Sequence, residues 1–227
     1  MTEPAIGTAE APPAIVLADI DSTTLAAYLA GQWEALNLRL GAARSWSQVD
    51  SKRQAQVGAL RNTLKADYDA DTSQVFAELG YRLPFATVAL EPFAGLAHVE
   101  LDSDSFHEHG GVAALSAEQQ DDSISYSTLG LRAAAPLGQV AGLPLSLHSS
   151  LAWQHAFDRP ANDSQLGLVG YQHFSVEGAP VAQDSALVQV GLDLQLAPQA
   201  NLQLGYAGNF GDDNRENGLR LGLHVTF

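Results

Sequence analysis

Gly218-Leu219-Arg220-Leu221-Gly222-Leu223-His224-Val225-Thr226-Phe227 alternates small or polar residues with apolar ones without a break and stops on an aromatic side chain. Successive side chains of a strand leave opposite sides of the pleat, so this pattern dictates one apolar and one hydrophilic face. The same two faces recur upstream. Val188, Val190, Leu192, Leu194 and Leu196 interleave with Gln189, Gly191, Asp193 and Gln195, and Leu143, Leu145, Leu147, Leu151 and Trp153 with Pro144, Ser146, His148, Ala152 and Gln154. An apolar face needs a protein core or lipid to cover it. The polar face carries less Lys, Thr and Glu than the outside of a soluble sandwich would show, which favours lipid.

About nine such strands are expected, near Leu25 to Gln32, Ala35 to Gln48, Asp67 to Leu83, Ala86 to Leu101, Ser123 to Leu137, Leu143 to Phe157, Asp184 to Ala197, Asn201 to Phe210 and Gly218 to Phe227. Several reach the length of about 9–11 residues with which a tilted strand crosses a bilayer. Their connections alternate in length. Gly31 to Glu34, Leu83 to Phe85, Gly138 to Gly142 and Pro198 to Ala200 are short, whereas Val49 to Ala66, Asp102 to Asp122 and Asp158 to Gln183 are long and acid-rich; Gly211 to Asn217 is intermediate. Outer-membrane barrels have short periplasmic turns and longer external loops. Aromatic residues near strand ends, among them Trp33, Trp46, Tyr81, Phe85, Trp153 and Phe157, suit interfacial girdles, although aromatics favour strands in any case.

Composition narrows the function classes. Of 227 residues, 26 are acidic and 11 basic, a net charge of −15 that opposes nucleic-acid binding. No apolar run is long enough for a spanning helix. The absence of cysteine excludes disulfides and thiolate metal sites. Residues 1–24 read as an irregular Pro- and acid-rich segment ahead of a barrel domain at 25–227. Met1 to Ala14, with Glu3, Glu10, Pro4, Pro12 and Pro13, lacks the basic start and apolar centre of a secretory signal.

Four stretches carry a family resemblance: Leu64-Lys65-Ala66-Asp67-Tyr68-Asp69-Ala70-Asp71-Thr72-Ser73-Gln74-Val75-Phe76-Ala77-Glu78-Leu79-Gly80-Tyr81, Leu90-Glu91-Pro92-Phe93-Ala94-Gly95-Leu96-Ala97, Ser127-Thr128-Leu129-Gly130-Leu131-Arg132-Ala133 and the terminal strand. In order and spacing they resemble the autotransporter β-domain, the carboxy-terminal translocator of type V secretion, from about Leu25 to the end. The resemblance implies an all-β, antiparallel, up-and-down transmembrane barrel of twelve strands in the Gram-negative cell outer membrane. It further implies an amino-proximal helix in the lumen, a secreted passenger upstream, and a terminal strand, with Leu219, Leu221, Leu223, Val225 and Phe227, read by the barrel-assembly machinery. The chain departs from that pattern in having no passenger, no recognisable luminal helix and nine strands. Bacterial single-chain barrels have even strand numbers. Residues 25–227 are therefore expected to be the carboxy-terminal three-quarters of a larger barrel, with Met1 to Thr24 an artefactual or fragmentary start. A tenth strand at Gln165 to Phe174 would restore evenness and spoil the loop alternation.

Charged residues inside strands are the site candidates: Glu78, Arg82, Glu91 and Arg132. Alternation sets Glu78, Arg82 and Arg132 on the polar face, where carboxylate and guanidinium pair across strands. Such a network either shapes a wet translocation path or is an ordinary structural ion pair. His107-Glu108-His109 lacks helical metal-site spacing and precedes Gly110-Gly111, so a solvated loop is expected. The acid pairs Asp69 and Asp71, Asp102 and Asp104, Asp121 and Asp122, and Asp212 and Asp213 match no EF-hand. No nucleophile elbow is present. The expected function is a non-enzymatic translocator and anchor without cofactors, whose partners are outer-membrane lipid, the barrel-assembly machinery and a passenger polypeptide. A soluble β-barrel binding a small ligand, or a barrel enzyme with a rim active site, is the alternative.

Overall fold

A computed structural model describes residues 15–57, 60–157, 163–168, 174–178, 181–212 and 214–226. Fourteen strands form among them: β1 (Ile15–Trp33), β2 (Leu36–Val57), β3 (Leu60–Tyr81), β4 (Leu83–Phe85), β5 (Val88–Ser103), β6 (Phe106–His107), β7 (Leu115–Ala117), β8 (Gln120–Val140), β9 (Leu143–Ala156), β10 (Asp163–Leu168), β11 (Phe174–Glu177), β12 (Asp184–Ala197), β13 (Ala200–Gly211) and β14 (Arg215–Val225). Nine long strands build one antiparallel sheet in the order β1-β2-β3-β5-β8-β9-β12-β13-β14, with β4 added beside β5. This sheet is a half-barrel. Each long strand overlaps one of the nine expected from alternation, with bounds that differ by up to ten residues at the ends. An odd antiparallel run leaves β1 and β14 pointing the same way, each with one unpaired edge among the described residues.

Register shows why the alternation exists. One row across the sheet aligns Leu90, Ala133 and Ser149, the next on that face aligns Pro92, Leu131 and Leu151, and the one after it aligns Leu79, Ala94, Leu129 and Trp153. Further along, Leu147, Leu192, Leu204 and Leu221 stand side by side. The apolar residues thus form one continuous outward face, and it has no protein cover. Leu219, Leu221 and Leu223 are 80%, 72% and 63% exposed. A soluble sandwich or barrel would bury that face, so lipid is the solvent that the pattern fits. Short hairpins close the opposite end from the long loops; at one of them Ala141 (φ 53°) and Gly142 (φ 80°) both take the left-handed conformation of a tight primed turn.

Three expectations are corrected. The first strand starts at Ile15 rather than Leu25, inside the segment read as irregular, because Asp19, Asp21 and Thr23 occupy outward positions beyond the apolar belt and erase the alternation while pairing with β2 continues. Val49 to Ala66 is not a loop: β2 and β3 pair as far as Val57 and Leu60, again with polar residues on the outward face. Asp102 to Asp122 and Asp158 to Gln183 contribute a second sheet, β11-β10-β7-β6. The strand considered within Gln165 to Phe174 belongs to that small sheet through β10, not to the barrel wall, and residues 169–173 lie outside the described residues.

Above the belt the outward face is acidic. Asp19, Asp50 and Asp67 face one another across β1, β2 and β3, and Asp71, Asp102 and Asp121 do so across β3, β5 and β8. Like charges directly opposite destabilise a sheet, and screening relieves them. Raising NaCl from 10 mM to 150 mM is therefore expected to slow hydrogen exchange several-fold in the β2–β3 extension, with little change in β12–β14. Exchange that is insensitive to salt would contradict this.

Candidate functional site: the inner wall

The polar residues line the inward face. On β2, β3, β5 and β8 they form a four-strand ion network: Arg39 reaches Glu78 at 2.5 Å and Glu91 at 3.0 Å through Nη1, and Arg132 reaches Glu78 at 2.6 Å and Glu91 at 3.1 Å. Asn37 Nδ2 donates to the second oxygen of Glu91 at 2.6 Å. Two guanidinium groups thus neutralise two carboxylates on neighbouring strands. Charge-assisted, multidentate bonds of this kind fix strand register as well as charge. The Arg132 guanidinium also lies 3.7 Å from the centre of the Phe93 ring. Gly80 makes room for the network, since a Cβ there would stand 2.8 Å from Glu91 Oε1.

Three of the four expected residues, Glu78, Glu91 and Arg132, meet here. Arg82 does not: it follows β3, is exposed, and makes no salt bridge among the described residues. Arg39 and Asn37 were missed. The signal for Arg39 was available in Leu38-Arg39-Leu40, a charge between two outward apolar residues. Leu219, Leu221, Leu223 and Val225 lie outward on β14, while Phe227 lies outside the described residues.

His107-Glu108-His109 is not a solvated loop. Phe106–His107 is strand β6, and the Glu108 side chain is 7% exposed, paired with Arg53 at 2.9 and 2.6 Å. Glu108 also accepts the Leu115 amide at 2.8 Å, and Arg53 donates to the Ala113 carbonyl at 2.9 Å. The His109 and Lys65 backbones bond reciprocally at 2.8 and 3.0 Å. Tyr68 stacks on Phe106 at 5.1 Å, and Val49, Leu64, Ala66 and Ala114 are buried. The Asp104–Glu118 segment is thereby pinned across the inward face of the β2–β3 extension, well beyond the belt.

Burial disfavours the charged form of Glu108, yet the Arg53 hydrogen bonds, the Leu115 amide and the Arg53 charge outweigh it and hold the carboxyl below its usual range. A folded-state value below the unfolded one adds stability above the ordinary carboxylate pKa of about 4.3, and that stability fades as pH falls through the depressed value. Protease cleavage within Asp104–Glu118 should accordingly rise as pH drops below about 4. In Glu108→Gln, cleavage should be faster at neutral pH and nearly independent of pH. Wild-type protection that is unchanged in acid would contradict the latch.

The autotransporter beta-domain family model matches residues 17–207. An extracellular serine protease of Serratia marcescens is 35% identical over 208 residues, 91% of this chain and 20% of that protein. Esterase EstA of Pseudomonas aeruginosa is 24% identical over 184 residues, 78% of this chain and 28% of that protein. The chain therefore spans 20–28% of the length of these curated relatives. The translocator domain of the autotransporter NalP from Neisseria meningitidis superposes with a TM-score of 0.67 at 17% identity, covering 93% of this chain and 68% of that one, which supports the fold. An exposed apolar outward face, a charged inner wall and the family match agree: this chain belongs to the autotransporter β-domain family, the outer-membrane β-barrel translocators.

Proposed function

We propose that the inward face lines a path for a passenger polypeptide, while the outward face anchors the sheet in outer-membrane lipid and β14 is the strand that the barrel-assembly machinery reads. The observation that carries this reading is the segregation of faces, with apolar residues outward and exposed, and the Arg39–Glu78–Glu91–Arg132 network inward. The network braces the wall and keeps the path wet, and its balanced charge leaves no strong trap for a moving chain. Nothing in the chemistry of the described inner wall supplies energy, so the sheet acts as conduit and anchor.

Unpaired strand edges in lipid cost several kcal/mol per unsatisfied group, on the order of 3. Because β1 and β14 run the same way, antiparallel closure requires an odd number of further strands between them, and three would complete the twelve that the family resemblance implies.

Outer membranes run on a gel with and without boiling test the reading. An unboiled band that migrates faster supports a folded barrel; a soluble-fraction protein with no shift contradicts it. Leu223→Asp should lower the outer-membrane level several-fold if β14 is the assembly strand, and an unchanged level would remove that role from it.

A further inference from the structure

A second site lies on the inner wall, away from the ion network. One row crosses four strands there: His148 on β9 faces Gly191 on β12, Gly191 faces Gly205 on β13, and Gly205 faces Arg220 on β14. Adjacent strands are about 4.8 Å apart, so three spacings set the His148 and Arg220 strands roughly 14 Å apart, with only glycine between. The His148 ring leans over Gly191, where a Cβ would come 2.0 Å from Nε2. Gly205 is open, its nearest neighbour being the Val190 carbonyl oxygen at 4.0 Å, and a Cβ on Gly218 or Gly222, which flank Arg220, would meet nothing within 4 Å. The result is a trough of about 370 Å³ whose polar lining includes His148, Gln189, Gln203 and Arg220.

Among the arginines at inward strand positions, Arg39, Arg53, Arg132 and Arg220, only Arg220 has no salt bridge among the described residues. Arg39 and Arg132 are neutralised by Glu78 and Glu91, and His148 Nδ1 lies 2.6 Å from Asp193. Among the described residues no carboxylate lies within 4.0 Å of Arg220, in a chain with 26 acids and 11 bases. Bare glycines in a strand mark places where another backbone comes close, and a guanidinium beside them favours a carboxylate over its amide.

We infer that this trough is a docking subsite for a polypeptide segment in the lumen: its backbone runs over Gly205, its Asp or Glu side chain pairs with Arg220, and Gln189 and Gln203 supply amides to its peptide groups. The inference rests on the conduit reading and deepens it by naming the chemistry of the occupant, an acidic segment.

Protein extracted from outer membranes in detergent would be titrated calorimetrically at low salt with a capped hexapeptide alternating glycine and glutamate, and with its glutamine counterpart. The glutamate peptide is expected to bind at least tenfold more tightly. Arg220→Gln should abolish that preference, Arg220→Lys should keep it in part, and Gly205→Val should weaken both peptides by obstructing the floor. Heat-modifiable migration of the same preparations reports separately on the barrel. Equal affinities, no binding, or a preference that survives Arg220→Gln, each in a protein that still inserts, would overturn the subsite and leave the conduit reading standing. Loss of insertion by the wild-type protein would fell both.

Discussion

Leu131→Arg is expected to destabilise the membrane-inserted protein by about 2–4 kcal/mol, the cost of a cationic side chain on the lipid face near the bilayer midplane. Leu131 stands outward on β8, between Pro92 of β5 and Leu151 of β9, and it is 46% exposed. Arginine there has no water and no partner on its own face. Urea unfolding in lipid vesicles measures the loss. Ser123→Arg provides the internal comparison, because Ser123 lies on the same outward face of β8 beyond the belt, opposite Glu100. That change should cost under about 0.5 kcal/mol, as surface substitutions ordinarily do. Equal costs at the two positions would mean that the outward face does not meet lipid.

Arg132→Met is the second large effect. It leaves Glu78 and Glu91 sharing Arg39 alone, on adjacent strands. Breaking a fully buried ion pair costs about 3–5 kcal/mol. Here the side chains are 11–33% exposed, and water screens part of the loss. A cost of about 1–3 kcal/mol is expected on that basis. The companion change Glu78→Gln removes one of the stranded charges, so the double variant should be less destabilised than the sum of the singles by at least about 0.5 kcal/mol. Additive costs would show that the residues do not act as one network.

The wall of the barrel was legible in the sequence because lipid on one side and water on the other force strict alternation. Val188 to Leu196 and Gly218 to Val225 announce their faces residue by residue. Legibility ended where lipid ended. From Ile15 to Thr24 and from Val49 to Ala66 the outward residues are mostly Asp, Lys, Thr and Gln, with Leu17 and Arg61 among them, so both faces turn mixed and the hydrophobic period vanishes, although the backbone ladder continues through β1, β2 and β3. The small sheet β11-β10-β7-β6 was hidden for a different reason: its strands have two to six residues and draw partners from separate loops, which no local pattern encodes.

The site divides the same way. Glu78, Glu91 and Arg132 stood out as charges in apolar strands, but their pairing depends on register. Arg39↔Glu78 and Glu91↔Arg132 are cross-strand partners set by hairpin geometry. Arg82 carried the same sequence signal and has no such partner, since the antiparallel β2–β3 ladder ends one residue before it, at Tyr81. Glu108 gave the opposite lesson. Within His107-Glu108-His109 it reads as loop polarity, and its charge partner, Arg53, lies 55 residues earlier.

Substituted-cysteine labelling tests the central claim most directly, and the chain contains no native cysteine to confuse the result. Single cysteines placed along β12 from Val188 to Asp193, in protein inserted in outer membranes, would be exposed to a membrane-impermeant maleimide. Inward positions Gln189, Gly191 and Asp193 should label, while Val188, Val190 and Leu192 should stay protected until detergent is added. Labelling that ignores this alternation, or that favours the apolar set, would contradict a wall with lipid on one face and a water-filled path on the other.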